Sequence, residues 1–448
     1  MNAWVAGHVI YPLHERLMGR KTFACYRQLM QSQWWPAERL RQLQLDKLRA
    51  RVAAAMKTPA YAELTGLPSG WLPQSLDDLG RLPLVDKALL DRHREELVDH
   101  SVPGGAISYA TGGSSGEPLR FYLDRRRQGC DKAARMRTHE WFGHHVGDRE
   151  AYIWGSPVEL RGQDRLKSLR DRLTNELLLS AFELSPASVD TFLDRLAAFR
   201  PRCLFGYPSS IALLCRLAAE RGLAMPPLPL AAAFTTAEVL YEDQRKLIEQ
   251  TFNVPLADGY GSREGGFISH QCPRGRMHIT SENVIVEFLR DGRAAAPGQD
   301  GEIVVTHLDN YAMPFIRYRT GDIGQASDEA CPCGRTLGVM KVVSGRTTDF
   351  IIAPDGRWVH GLALIYAVRD LPGVRQYQIR QESLQQIVVR LVAGEAFPPD
   401  GEAKIVSGIV KRLGPGLSVL IERVDSIAPE ASGKFRFVIS AVARQRHF

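Results

Sequence analysis

The sequence contains few lysines and no block of basic residues. Only 11 of its 57 basic residues are Lys, and the arginines are scattered along all 448 positions. A nucleic-acid-binding domain clusters basic and aromatic residues in one segment, so the net charge of +7 does not predict a nucleic-acid partner. A small anionic substrate suits this charge equally well.

Cysteine is also scarce, with seven residues at uneven spacing. An odd number of cysteines in a chain of this length argues against a disulfide framework and favours a reducing compartment, the cytoplasm. Cys331 and Cys333 are separated by a single residue. Such a close pair is half of a typical zinc site.

Long apolar runs are absent. Residues 1–20 contain short apolar stretches interrupted by His8, His14 and Glu15, without a small-residue cleavage site. A membrane-spanning helix needs about 20 predominantly apolar residues, so neither export nor stable membrane insertion is expected. This amphipathic start leaves a weak association with a membrane surface open.

The composition, 44% hydrophobic and 24% charged, is that of a soluble globular protein of two or three domains. Strand and helix patterns alternate between residues 119 and 252, which predicts an α/β body with mainly parallel sheets in several layers. Helical spacing is predicted over 40–62, 130–144 and 189–199. After Asn283 the pattern changes to antiparallel strands, which we expect as a third, β-rich layer.

The last part of the chain has strand and helix signals of its own. We therefore expect a large N-terminal domain over residues 1–348 and a small α+β domain over residues 349–448. The sequence does not distinguish a monomer from a homodimer.

A loop rich in glycine and hydroxyl residues lies between two strand patterns at Tyr109–Leu119. Its backbone N–H groups and hydroxyls could wrap a phosphate group, although this composition is also typical of a plain connector. The loop lacks the Gly-Lys-Ser/Thr ending of a Walker loop. The glycine and hydroxyl residues at the centre of this loop are Thr111, Gly112, Gly113, Ser114, Ser115 and Gly116.

Two later stretches carry an aromatic ring and a carboxylate next to glycine. The stretch Asp258–Glu264 could stack a base on Tyr260 and hold Mg²⁺ through Glu264, or form an ordinary turn with a solvated glutamate. The stretch Tyr318–Asp322 could present Asp322 to a ribose diol, or form an Asx turn.

The order of these segments resembles the core motifs of adenylate-forming enzymes. The chain is most similar to the phenylacetate–CoA ligase and CapK-like family. The segments that carry this resemblance are the glycine-rich loop, Tyr260–Glu264, Tyr318–Asp322, Gly345–Asp349 and Gly433–Arg436, with Leu119–Asp124 and Cys331–Arg335 marking the family.

The resemblance implies a ligase that uses ATP and Mg²⁺ to convert a small carboxylic acid into its acyl-AMP, and then transfers the acyl group to CoA. The alternatives are an amine, a hydroxyl or a carrier-protein thiol as acceptor, or a non-catalytic relative of the fold. The loop would hold the ATP phosphates and Glu264 would hold Mg²⁺. The residues implied around the nucleotide are Ala237, Glu238, Asp258, Tyr260, Gly261, Ser262, Asp322 and Arg346.

The resemblance also implies that the C-terminal domain is mobile and rotates at a hinge near Asp349. In the adenylation arrangement it would bring Lys434 to the developing acyl-phosphate oxygens. Two residues depart from the family pattern: Leu119 stands where a lysine is usual, and Thr348 stands where many relatives have aspartate.

Three cysteines and a histidine form a candidate structural zinc site: Cys272, His278, Cys331 and Cys333. His270 competes with His278 as the fourth ligand, and the resemblance favours His278. The alternative is that these are reduced thiols in turns.

The acid-binding pocket is expected to be lined from residues 152–157, 205–209, 234–236 and 259–266. Its predicted residues are Tyr152, Trp154, Tyr207, Thr236 and Gly259, and Phe205 would add to an aromatic lining. Aromatic side chains in strands are also typical of a hydrophobic core, so the identity of the acid stays open.

Overall fold

A computed structural model describes residues 1–110, 119–154, 170–346, 350–356, 358–428 and 435–442. Two loops of functional interest, Thr111–Gly116 and the segment with Lys434, lie outside the described residues. The helices of the first domain are Ala3–Val5, the π segment Ala6–Ile10, Tyr11–Leu17, Thr22–Ser32, Ala37–Ala55, Pro59–Thr65, the 3₁₀ segment Leu76–Arg81, Lys87–Arg92, Arg94–Leu97, Arg125–Glu140, the 3₁₀ segment Ala181–Glu183, Val189–Phe199, Pro208–Glu220 and Glu242–Phe252.

A parallel sheet forms the centre of the first domain. Its strands are β3 (Glu150–Trp154), β4 (Glu176–Ser180), β5 (Cys203–Gly206), β6 (Ala232–Thr236) and β7 (Leu256–Ser262), which follow the short hairpin β1 (Ile107–Ala110) and β2 (Arg120–Leu123). The spatial order is β4-β3-β5-β6-β7, with each neighbouring pair parallel. This arrangement confirms the expected α/β class.

The antiparallel strands continue the same sheet. They are β8 (Gly266–Gln271), β9 (Met277–Ile279), β10 (Val284–Arg290), β11 (Arg293–Ala294), β12 (Gly301–His307), β13 (Tyr318–Ser327) and β14 (Val339–Arg346). The order from β7 is β8-β9-β14-β13-β12-β10-β11, in one sheet of 12 strands. The antiparallel strands predicted after Asn283 are present, and the pair β7–β8 connects them to the parallel strands without interrupting the ladder.

Two predicted helices have different ends in the structure. The helical pattern over 40–62 is divided into Ala37–Ala55 and Pro59–Thr65. Pro59 lacks an N–H group and stands at the start of the second helix, where no intrahelical donor is needed. The helix expected to reach 144 ends at Glu140.

The C-terminal part contains the hairpin β15 (Phe350–Ile352) and β16 (Trp358–His360), and a four-stranded sheet in the order β19-β18-β17-β20. The strands of this sheet are β17 (Val374–Ser383), β18 (Gln386–Ala393), β19 (Ser418–Arg423) and β20 (Val438–Ser440), packed with the helices Gly361–Arg369 and Gly401–Leu413. Its buried aliphatic residues form a core of their own. The domain boundary at 348/349 stays a prediction, since residues 347–349 lie outside the described part.

Candidate active site

Tyr260 and Asp322 come together although 62 residues separate them. Tyr260 lies on β7 and Asp322 on β13, and the phenol donates a hydrogen bond of 2.7 Å to Asp322 Oδ2. The same phenol lies 3.4 Å from Thr320 Oγ1. The predicted base-stacking residue and the predicted ribose-binding residue therefore form one polar unit.

Arg346 lies opposite Asp322 in the ladder between β13 and β14. The pairing has irregular register at this point, between Asp322 and Ile323. A bulge of this kind redirects side chains locally. The backbone thus pairs Arg346, one of the residues implied around the nucleotide, with Asp322.

Glu238 joins the two domains. It follows β6, directly after Ala237, whose φ of 71° lies in the left-handed region. Non-glycine residues in this region cost about 1–3 kcal/mol and concentrate at functional sites. Glu238 Oε2 accepts a hydrogen bond from Ser209 N at 3.2 Å, and Oε1 accepts one from Phe435 N at 3.1 Å. Phe435 is the residue that follows Lys434.

Thr236 ends β6, and Asp258 and Gly259 lie beside it within β7. Thr235 Oγ1 donates to Asp258 Oδ1 and Thr236 Oγ1 donates to the Gly259 carbonyl, each at 2.8 Å. Burial raises the pKa of Asp258 to about 7, with Thr235 opposing the shift. Gly259 is required for packing, because a Cβ atom there would lie 2.9 Å from His270 Cδ2.

Glu264 lies in the tight turn between β7 and β8, not at the start of a helix. Gly261 and Ser262 end β7, and Ser262 Oγ accepts a hydrogen bond of 2.7 Å from Gly265 N. Arg263 donates at 2.7 Å to the carbonyl of Ala110, the residue that precedes the glycine-rich loop. The described flank of that loop therefore lies next to the turn that carries Glu264.

The predicted pocket aromatics form a contiguous group. Trp154 and Tyr207 stack with ring centroids 4.1 Å apart, and Phe205 packs edge-on to Tyr152 at 5.6 Å. Tyr207 is buried, while Tyr152 and Trp154 are half-buried. The described part of this group supports an aromatic wall at the carboxyl ends of β3 and β5.

The four predicted metal ligands lie together: the ligand atoms of Cys272, His278, Cys331 and Cys333 are all within 4.8 Å of one another. The Sγ atoms of Cys272 and Cys331 are 3.7 Å apart, and Cys333 Sγ lies 3.2 Å from His278 Nε2. Zn–S bonds of about 2.3 Å in a tetrahedron place two sulfurs about 3.8 Å apart. The donor set and its spacing therefore fit zinc.

His270 does not belong to this cluster. Its Nδ1 lies 2.8 Å from the Gln271 carbonyl, and its ring stacks on Phe267. His278 instead directs Nε2 toward Cys333 while Nδ1 lies 3.3 Å from the Leu337 carbonyl. A backbone partner on the second ring nitrogen is typical of metal-binding histidine. Of the two candidates, the geometry places His278 among the cysteines.

Comparison with known proteins finds similar sequences over most of the chain. A model of the CapK C-terminal domain matches residues 351–441. Protein CapK of Staphylococcus aureus is 24% identical over 82% of this chain and 81% of its own length. A phenylacetate–coenzyme A ligase of Thermus thermophilus is 26% identical over 87% of this chain and 89% of its own length. The chain is therefore similar to CapK and to phenylacetate–CoA ligases over more than 80% of its length.

Solved structures share the fold of this chain. A crystal structure of 2-hydroxyisobutyryl-CoA ligase in the postadenylation state with R3-HIB-AMP has a TM-score of 0.70 and 20% identity, covering 92% of both chains. The thioesterification-state structure of that ligase, with 2-HIB-AMP and CoA, has a TM-score of 0.59 and 19% identity, with 92% of both chains covered. The chain thus has the fold of this ligase.

Sequence reasoning missed a buried polar group behind the aromatic residues of this CapK-like chain. Arg135 donates at 2.8 Å to the Tyr152 hydroxyl, which in turn donates at 2.7 Å to Glu150 Oε2. Burial opposes ionisation of Glu150, but Arg135, His144 and the hydrogen bond from Tyr152 act together with that from Cys203 and lower the pKa of that carboxyl. In the sequence, this group was indicated by a charged residue, Arg135, on the face of its helix that covers the sheet.

Among the helices of the described residues, none is long and apolar enough to cross a membrane.

Proposed function

We propose that this chain is an adenylate-forming acid–CoA ligase. It would activate a carboxylic acid with ATP to give acyl-AMP and pyrophosphate, and then transfer the acyl group to CoA. The observation that carries the proposal is the 2.7 Å hydrogen bond between Tyr260 and Asp322. It unites two family motifs into one surface that offers an aromatic face for adenine and a carboxylate for the ribose hydroxyls.

In the first step an oxygen of the substrate carboxylate attacks the α-phosphorus, and the bond to pyrophosphate breaks. Anions approach one another, so positive charge must be present in the transition state. Mg²⁺ held by Glu264 would neutralise part of the phosphate charge. The loop Thr111–Gly116 would donate backbone N–H groups to the phosphates, and Lys434 would contact the oxygens on which charge develops.

The bond from Phe435 N to Glu238 supports the role of Lys434. Glu238 follows β6, two residues after Thr236, at the end of the sheet where Tyr260 also lies. This contact supports a position for Lys434 near the proposed nucleotide site. In the second step the CoA thiolate would attack the acyl carbon and AMP would leave, after the C-terminal domain has withdrawn Lys434.

The acid would enter the group of Tyr152, Trp154, Phe205 and Tyr207. Stacked aromatic rings favour a flat or apolar acid. The partners are therefore a small-molecule acid and an acyl acceptor, with CoA favoured by the named relatives.

The proposal includes a structural zinc ion held by Cys272, His278, Cys331 and Cys333. Four protein ligands leave no position for substrate, so the ion would tie the β8–β9 turn to the β13–β14 connection and take no part in the reaction. Thiolate ligands and free cysteines suit a reducing compartment, which supports a cytoplasmic location.

ATP–pyrophosphate exchange tests the first step. The exchange is measured over aromatic, aliphatic and amino acids, with and without CoA, while the product mass is followed. Acid-dependent exchange together with a CoA-dependent thioester product would support the proposal. A product formed with an amine or a hydroxyl would instead identify that group, and not CoA, as the acyl acceptor. Absence of exchange with every acid, in folded and metal-loaded protein, would contradict the ligase assignment. Lys434→Ala is expected to abolish exchange while ATP still binds.

A further inference from the structure

Exposed large apolar side chains are concentrated at the N-terminus. Of the eight such side chains among the described residues, six lie between residues 1 and 18: Met1, Trp4, Val9, Leu13, Leu17 and Met18. Leu17 is 76% exposed and Trp4 is 63% exposed. Single exposed apolar residues are normal on a soluble protein, but a group of them indicates an interaction surface.

Four of these residues form one row along a helix, which we call the N-terminal row: Trp4, Val9, Leu13 and Leu17. The α segments Ala3–Val5 and Tyr11–Leu17 are joined by the π segment Ala6–Ile10, in which Tyr11 N–H bonds to the Ala6 carbonyl. A π turn takes about one more residue than an α turn. Trp4 and Val9 are five residues apart, so they lie about one π turn apart on the same face of the helix. Trp4 therefore belongs to the row.

The opposite face fixes this helix to the body. Ala6, Gly7, Tyr11 and Glu15 are buried. A Cβ atom at Gly7 would lie 2.0 Å from the Val146 carbonyl oxygen, so only glycine allows this close approach. The row is thus presented outward by a docked helix and is not part of a loose tail.

The exposed charges beside the row are positive. Glu15 is the only acidic residue in the first 37 positions. It is buried, accepts a hydrogen bond from Thr22 and forms ion pairs with Lys132 and Arg20. In contrast, Arg16, Lys21 and Arg27 are exposed. The surface therefore combines an apolar row, a tryptophan and unneutralised cations.

We propose that the N-terminal row is a peripheral docking surface for an anionic membrane. Such a helix would lie in the interface, with Trp4, Leu13 and Leu17 among the upper acyl chains and the cations at the lipid phosphates. A second copy of the chain fits less well, because a two-fold contact would bring the same positive charges together. This inference does not depend on the acid or acceptor of the proposed reaction.

Vesicle co-sedimentation of the full chain tests the proposal. We expect binding to vesicles of 70% phosphatidylcholine and 30% phosphatidylglycerol to be about tenfold stronger than to pure phosphatidylcholine, and to weaken in 0.5 M salt. The variant Leu13→Ser/Leu17→Ser should bind about tenfold more weakly. Arg16→Gln/Lys21→Gln should lose the preference for phosphatidylglycerol.

Leu420→Ser is the matched control, since Leu420 is 47% exposed on the C-terminal domain. It should bind vesicles like the parent chain, and all variants should keep the parent melting temperature. Folded protein that does not bind either vesicle would overturn the proposal. So would equal binding by the Leu13/Leu17 variant, or light scattering that shows a dimer which this variant abolishes, because the row would then be a contact between copies.

Discussion

Glu238 provides a test of the proposed domain arrangement. Its two carboxylate oxygens accept hydrogen bonds from Ser209 N and Phe435 N. In Glu238→Gln only one oxygen remains, so one of the two N–H groups faces an amide NH₂. A hydrogen bond to a charged group contributes about 1.5–3 kcal/mol. Because Glu238 is partly exposed, we take the lower end, which corresponds to about a tenfold effect.

The loss of activity in Glu238→Gln should affect the adenylation half-reaction and not the transfer to CoA. Pyrophosphate release in a single turnover at saturating ATP should slow about tenfold, because the arrangement with Lys434 at the site is less populated. Transfer of the acyl group from isolated acyl-AMP to CoA should change by no more than about twofold, since the C-terminal domain has then moved. Stopped-flow assays of the two steps measure both rates.

Glu242→Gln is the control for this substitution. Glu242 lies four residues further along, is 66% exposed and pairs only across one helical turn, 3.6 Å from Lys246. It should leave both half-reactions unchanged. An equal fall in both half-reactions of Glu238→Gln, or no change in either, would refute the arrangement inferred from the Phe435 contact.

Three further predictions concern the metal, the nucleotide and pH. Cys333→Ser should reduce zinc from about one ion per chain to near zero by mass spectrometry, whereas Cys25→Ser should not. Tyr260→Phe should weaken ATP binding about five- to tenfold by calorimetry, and adding Asp322→Asn should cost less than the sum of the two changes. Because the pKa of Asp258 is raised to about 7 in the folded state but is about 3.9 when unfolded, the free energy of unfolding should fall as pH rises between these values. The free energy of unfolding of Asp258→Asn, measured with urea, should not show this fall. Parallel curves of unfolding free energy against pH for the parent chain and the variant would contradict the prediction.

The sequence predicted the elements of the α/β body well where periodicity and length agreed. The predicted helix Val189–Phe199 has the same ends in the structure, because its apolar spacing is regular and Arg200 ends it in the left-handed conformation. Sheet continuity was not predictable in the same way. Whether β8 continues β7 or starts a new layer depends on ladder pairing, which leaves no periodic pattern in the sequence.

The candidate site was found from its motifs, but their mutual contacts were not. Tyr260 and Asp322 were identified separately. Three strands, β8, β9 and β14, lie between β7 and β13 in the sheet, and only the structure shows that the two residues share a hydrogen bond. The choice between His270 and His278 also required geometry, since both histidines lie within the same hairpin. The contact of Glu238 with Phe435 depends on the packing of two domains, which local sequence does not encode.

The contact between the domains has a consequence for the rate of turnover. Besides the Glu238 bond, Tyr241 meets Phe437 edge-on at 5.6 Å and Asp243 pairs with Arg369 at 2.8 Å. An aromatic pair and a partly exposed ion pair each contribute about 1 kcal/mol. Domain rotations in enzymes occur within microseconds to milliseconds. In the proposed reaction, kcat would follow the bond-forming steps only where these contacts open faster than the bonds form, and each added contact between the domains would slow that opening.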